Sequence, residues 1–167
     1  MIKLPAPFAG CPPLKKRPKT DLIVVHCADT PPAMDVTARM INQWHVKDNG
    51  WAAIGYHFVI RRDGTIEGGR PDNTVGAHAS QVNSHSIGIC LAGGKGVPEK
   101  GPDWSKHFLP AQIVALSQLI ETLQSIYPDT SVVGHRDVDN AGKTCPNFDA
   151  KAWWASVVHV SAPRKEA

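Results

Sequence analysis

Three side chains of the kinds that hold catalytic metal ions sit at the ends of structured stretches in this sequence. His26 closes the apolar run 22–25, His135 follows the short apolar run 131–133, and Cys145 lies in the polar segment Lys143-Thr144-Cys145-Pro146. Two imidazoles and one thiolate leave a fourth tetrahedral position open, which distinguishes a hydrolytic zinc site from a closed structural one. Sulfur and nitrogen donors favour zinc over magnesium or calcium, although affinity alone does not exclude copper or nickel. Zinc in such a setting lowers the pKa of water toward about 7 and polarises a carbonyl, which is most of what amide hydrolysis requires. Spacing alone does not single out this set, because 8 histidines and 4 cysteines allow many threesomes.

The other candidates have quieter readings. Cys11, Cys27 and Cys90 show no regular spacing with Cys145, and Cys27 and Cys90 fall in strand-like runs where a free thiol behaves as a small apolar residue. His57 alternates with Tyr56 and Phe58, so it is expected on the opposite side of its strand as a packed or hydrogen-bonded residue. His45, His85, His107 and His159 call for no special role, and Trp44, Trp51, Trp153 and Trp154 read as core or helix-packing residues before sugar platforms.

These residues must be positioned by a fold, and 167 residues suffice for one sizeable core. Residues 1–20 carry five prolines and the basic cluster Lys15, Lys16, Arg17 and Lys19, and are read as an irregular, solvated arm. The formal net charge of +3 is small, so a nucleic-acid partner is not expected. The first residues lack the continuous apolar stretch of a secretory signal, and no window is long and apolar enough for stable membrane insertion. The expectation is a soluble protein made in the cytoplasm.

Residues 22–25 read as a strand covered on both faces. Asp35 is expected to cap a helix with Val36, Met40 and Trp44 on one face, stopped by Asn49 and Gly50. Residues 56–60 form a strand, Asp63-Gly64 a hairpin turn, and 65–67 the start of the return. Residues 86–91 give another strand, 110–127 the clearest helix, 131–133 a short strand, and a last helix begins near Asp149. The reading is an α/β fold: a single domain, 21–160, with a central mixed β-sheet flanked by about three α-helices, and 161–167 as a fraying tail. A zinc site at strand ends, in a surface cleft, suits such a sheet.

The blocks around the candidate ligands narrow the reading further. Val25-His26-Cys27, Gln43-Trp44-His45, Gly55-Tyr56-His57-Phe58, Gly88-Ile89-Cys90-Leu91, Gly134-His135-Arg136-Asp137 and Thr144-Cys145-Pro146 occur in an order that resembles the type 2 N-acetylmuramoyl-L-alanine amidases of the peptidoglycan recognition protein superfamily. The likeness, from about residue 21 to about residue 154, is strongest to the amidase lysozymes of the T-odd coliphages.

The resemblance implies one zinc ion held by His26, His135 and Cys145, and an active-site tyrosine and lysine at Tyr56 and Lys143. Tyr56 could donate a hydrogen bond to the attacking water or help move its proton, and the Lys143 ammonium could stabilise a tetrahedral oxyanion. Their plainer readings are a strand aromatic and a surface charge. His78 matches a substrate-contacting histidine of the phage enzymes, and Asn83 is expected to line the same cleft. Some superfamily members use a glutamate as general base; Glu67 is read as structural and no residue is assigned to that role. Arg136 and Asp137 are candidates to hold His135 or to anchor its loop.

The implied reaction is hydrolysis of the amide joining N-acetylmuramic acid to the L-alanine of the stem peptide, by a monomer acting on peptidoglycan in the periplasm once the inner membrane is breached. A phage or prophage endolysin is the leading setting, and a host recycling amidase shares most of these residues. Two other classes compete: a non-catalytic peptidoglycan-binding module, against which Cys145 argues, and a structural zinc or nucleic-acid domain, against which the unpaired ligand spacing argues.

Overall fold

A computed structural model describes residues 1–161; the tail expected to fray lies, from residue 162 on, outside the described residues. The strands are β1 (Leu22–Cys27), β2 (Phe58–Ile60), β3 (Ile66–Gly68), β4 (Ser86–Leu91) and β5 (Ser131–Gly134). The helices are α1 (Ala38–Gln43), α2 (Pro110–Ile126) and α3 (Ala150–Ser161). The sheet order is β3-β2-β4-β1-β5, with β3 alone running antiparallel to its neighbour.

Alternation along the strands explains the two faces. Ile23, Val25 and Cys27 of β1 and Ile87, Ile89 and Leu91 of β4 join one buried cluster with Leu116, Leu119, Ile120 and Leu123 of α2 and Trp153 and Trp154 of α3. Val59 and Cys90 pack on the other side with Val36, Ile41 and Ile54. Both faces of the central strands are therefore covered, as their continuous apolar sequences require. His26 falls on the second face, where α1 is short and leaves a cleft.

Several local expectations are corrected. The N-cap of α1 is Thr37, whose Oγ1 accepts from Met40 N, while Asp35 pairs with Arg61 at the end of β2. Glu67 accepts from the Ala38 N–H at the helix start, which gives it a structural task. The helix continues as a π-helical turn, Trp44–Asp48. Regular β2 begins only at Phe58, so the strict alternation expected from Tyr56 does not hold: Tyr56 packs with the second cluster, and its ring and that of His57 both face His78.

The arm is irregular but tied down. Phe8 N bonds Gly69 O, and Val75 N bonds Lys15 O. Lys15, Lys16 and Lys19 are exposed, whereas Arg17 is buried, correcting its reading as a solvated charge. Its guanidinium donates to the carbonyls of Thr74 (2.7 Å), Ser86 (3.2 Å) and Asp72 (2.6 Å) and to Thr20 Oγ1 (2.9 Å). No described helix is long and apolar enough to cross a membrane.

Candidate active site

The end of β1 places His26 and Cys27 on opposite faces, and Cys145 sits just past the strand where it meets both. Cys145 Sγ lies 3.9 Å from His26 Nδ1 and 3.8 Å from Cys27 Sγ, and the Cys27 N–H points at it from 3.2 Å. His135 opens a single 3-10 turn directly after β5, the parallel neighbour of β1, which brings its ring centroid 4.5 Å from that of His26. One donor atom from each of His26, His135 and Cys145 lies within 4.8 Å of the others.

The loop carrying Cys145 is held from the same turn. Arg136 N–H donates to Cys145 O at 2.8 Å, and the Arg136 guanidinium donates to Thr144 O and Glu99 O. Asp137 accepts from Gly134 N, closing the turn on itself. Arg136 thus anchors the loop, and neither it nor Asp137 is the partner of the His135 ring. That partner is Asp139, whose Oδ2 lies 3.2 Å from His135 Nε2.

These residues fit a zinc ion on the chemistry and spacing of their donors. Tetrahedral bonds of about 2.3 Å to sulfur and 2.0–2.1 Å to nitrogen separate those two atoms by roughly 3.6 Å, close to the 3.9 Å between His26 Nδ1 and Cys145 Sγ. Each imidazole keeps one nitrogen free, because His26 Nε2 is engaged by His78 and His135 Nε2 by Asp139. Burial, reinforced by mutual repulsion, pushes the His26 pKa well down, and burial also lowers that of His135, so both rings are neutral as metal donors must be. Contact with the Cys27 thiol, and then burial, raises the Cys145 thiol. A bound cation would displace that proton, and the Cys27 N–H is aimed to receive the thiolate.

The cluster forms the floor of a cavity of about 410 Å³ whose lining also includes Tyr56, Lys143 and Asp29. The Tyr56 ring lies 5.1 Å from that of His26, and burial, followed by the nearby thiols, raises the phenol's pKa well up, so its hydroxyl keeps its proton at neutral pH. Lys143 is exposed at the rim. A second groove of about 270 Å³ shares His135 and Lys143 with the first and is lined by Trp51, His78, Asn83 and Asp139. The two adjoin through these shared residues, beside the C-terminal ends of β1 and β5.

All seven residues singled out in the sequence lie in this cleft, with different contacts. Asn83 spends its side-chain oxygen on the N–H groups of His78 and Ala79, each at 2.9 Å, so it shapes the turn that presents His78. His57 is buried, accepting from Gly88 N at Nδ1 and facing Thr74 O at Nε2. Sequence reasoning missed Trp51, 39% exposed in the groove, which was expected in the core. It missed Asp139, legible as a carboxylate four residues after a ligand candidate, and Asp29, which holds a positive φ of 52° at the rim. Cys27 beside Cys145 had no local signal, since the contact spans 118 residues.

The sequence profile of the N-acetylmuramoyl-L-alanine amidases matches residues 16–148, most of the chain and every residue of the cleft. The chain belongs to the N-acetylmuramoyl-L-alanine amidase family. It is 45% identical over 150 residues to the endolysin of Escherichia phage T7, covering 90% of this chain and 95% of that protein. To the endolysin of Klebsiella phage KP32 it is 48% identical over 142 residues, covering 83% and 88%. Among solved structures, the endolysin amidase LysCS from Clostridium intestinale superposes with a TM-score of 0.74 at 32% identity, over 93% of this chain and 94% of that one.

Proposed function

We propose that this amidase is an endolysin that uses a single zinc ion to hydrolyse the amide between N-acetylmuramic acid and the L-alanine of the stem peptide. The observation that carries the reading is the convergence of His26, His135 and Cys145 at the floor of a cavity rimmed by Tyr56 and Lys143. Zinc bound there supplies Lewis acidity, making a nucleophile from water and polarising the scissile carbonyl.

The chain's own residues do the rest. His26, His135 and Cys145 hold the ion, with Asp139 fixing the His135 ring through its outer nitrogen. Tyr56 stays a phenol and donates a hydrogen bond toward the reacting oxygen from its place beside His26 in the cavity wall. Lys143 brings a positive charge to the rim, where negative charge develops on the tetrahedral carbon's oxygen. The long cleft formed by the two cavities suits an extended polymer, with Trp51 and the Asn83 side lining one end. Peptidoglycan, presented as glycan strand plus stem peptide, is the substrate such a cleft would accept.

The phage relatives support a role in host lysis, in which the enzyme reaches the wall after the inner membrane is permeabilised. The direct test is digestion of purified Gram-negative sacculi by zinc-loaded protein beside a chelated control, with new ends identified by mass spectrometry. Free stem peptides beginning with L-alanine, lost on chelation and restored by zinc, are the expected products. Binding without cleavage, or new reducing sugar ends, would overturn the reading.

A further inference from the structure

His78 is the residue whose surroundings ask most for an explanation. It lines the cleft, yet both its ring nitrogens are already engaged: Nδ1 lies 3.0 Å from His26 Nε2, and Nε2 lies 3.4 Å from Ser86 Oγ. Ser86 is fully buried, and its hydroxyl donates onward to Val82 O at 2.8 Å.

Only one set of proton positions suits this chain when His26 acts as a metal donor. His26 Nδ1, the nitrogen facing Cys145, must present a lone pair, so the proton sits on Nε2 and is donated to His78 Nδ1. His78 must then carry its own proton on Nε2, aimed at Ser86 Oγ, whose hydrogen goes to the Val82 carbonyl. Every donor in the series has an acceptor and no proton is duplicated.

A second observation is independent of hydrogen bonding. The His78 ring fills a slot made by two glycines: a Cβ on Gly76 would come within 2.5 Å of His78 Cδ2, and one on Gly88 within 2.5 Å of both Cδ2 and Cγ. Asn83 fixes the backbone beneath it by accepting from His78 N. The ring is thus packed closely against the backbone at Gly76 and Gly88, with its nitrogens turned to His26 and Ser86.

We propose that His78 is a positioning residue that acts through His26, fixing the tautomer and orientation of that imidazole, in place of the substrate contact the family resemblance implies. The inference rests on the zinc-amidase reading of His26 proposed above. Partners of this kind are worth about 10- to 100-fold in metal affinity.

The experiment measures zinc affinity by competition with a chromophoric chelator in the wild-type chain and in His78→Phe and His78→Asn. Phe keeps a ring in the glycine slot but removes the acceptor, whereas Asn places an oxygen where Nδ1 was. The expected result is a 10- to 100-fold loss for Phe and recovery to within about fivefold of wild type for Asn. Unchanged zinc affinity in His78→Phe with a raised KM for peptidoglycan fragments would overturn the proposal in favour of a substrate contact.

Should His78→Phe fail to fold, nitrogen-15 NMR of the zinc-loaded wild type decides the matter: His78 protonated at Nε2 with an accepting Nδ1 is expected, and the opposite tautomer refutes it. Wild-type protein that binds no zinc, or binds it equally well as Cys145→Ser, would remove the underlying metal reading together with this inference. Intact wild-type binding with unaltered His78 variants would sink the inference alone.

Discussion

Replacing His57 by Asn tests whether a buried neutral imidazole behind the cleft makes the fold acid-sensitive. His57 is fully buried, and burial, aided by repulsion from Arg17 and Arg70 and opposed by its bond with Thr74 O, lowers its pKa from the ordinary 6.5 to about 3. The folded state therefore prefers the neutral ring, while the unfolded chain takes up a proton below pH 6.5. Stability from this residue is fully present above that value and is lost as pH falls toward about 3. At about 1.4 kcal/mol per pH unit per proton, the loss between pH 7 and pH 5 comes to about 2 kcal/mol. His26, His78 and His135 are also shifted down, so the wild-type slope exceeds one proton and only the difference from the variant isolates His57.

Asn retains an oxygen for the Gly88 N–H but leaves part of the ring's volume empty and leaves Thr74 O with Arg17 as its remaining partner, at a cost of about 2 kcal/mol at pH 7. Urea unfolding with chelator present, at pH 7, 6 and 5, should find that gap closing by about 2 kcal/mol in acid, so that the two proteins become nearly equal near pH 5. Parallel profiles would refute the reasoning. So would an NMR titration of wild-type His57 with a midpoint above about 5, which serves equally if the variant does not fold.

Three further outcomes follow from the site and its supports. Cys145→Ser should lose zinc by more than about 100-fold in chelator competition and lose sacculus hydrolysis with it. Tyr56→Phe and Lys143→Ala should each keep wild-type zinc affinity while kcat falls by about 100-fold or more, as measured on a soluble muropeptide; a loss of metal in either would move that residue into the binding shell. Arg17→Ala, which empties a buried site and removes the guanidinium donor shared by three carbonyls, should destabilise by about 3 kcal/mol in urea, whereas Lys15→Ala should stay within about 0.5 kcal/mol.

What the sequence made legible was whatever has a local cause. The run 22–25 is apolar because β1 is covered on both faces, Asp63-Gly64 turns the hairpin with Gly64 at a φ of 88°, and α2 declares its inner face by spacing. The readings that failed depended on distant partners. Arg17 looks solvated until residues 72, 74 and 86 supply carbonyls around it, and Asp35 looks like a cap until Arg61 claims it and Thr37 takes the position. Trp51 follows a glycine that ends a helix, outside any apolar period, so nothing local marks it as a groove residue. The clustering of His26, His135 and Cys145 was legible only because whole blocks matched; no spacing between residues 26, 135 and 145 predicts that a 3-10 turn after β5 and a loop beyond it close on the end of β1.

The two imidazoles of the site are held by partners of unlike charge, and this bears on how affinity is balanced against reactivity. Asp139 puts a carboxylate behind His135, which strengthens that ring as a donor. His78 puts a neutral ring behind His26. With Cys145 as thiolate, the donor set and Asp139 bring two negative charges, and Lys143 at the rim returns one positive charge. A second carboxylate in the place of His78 would add another negative charge close to the floor of the cavity, where charges interact more strongly than in water. It would hold a cation more tightly but raise the pKa of the water that cation must activate. A neutral ring fixes orientation without that penalty, provided something equally neutral ends the chain. Ser86 does so, small enough to be buried on β4 and satisfied by Val82 O. The glycines at 76 and 88 and the serine at 86 are then three expressions of one requirement: room for an uncharged ring against the sheet, with a polar stop at its far end.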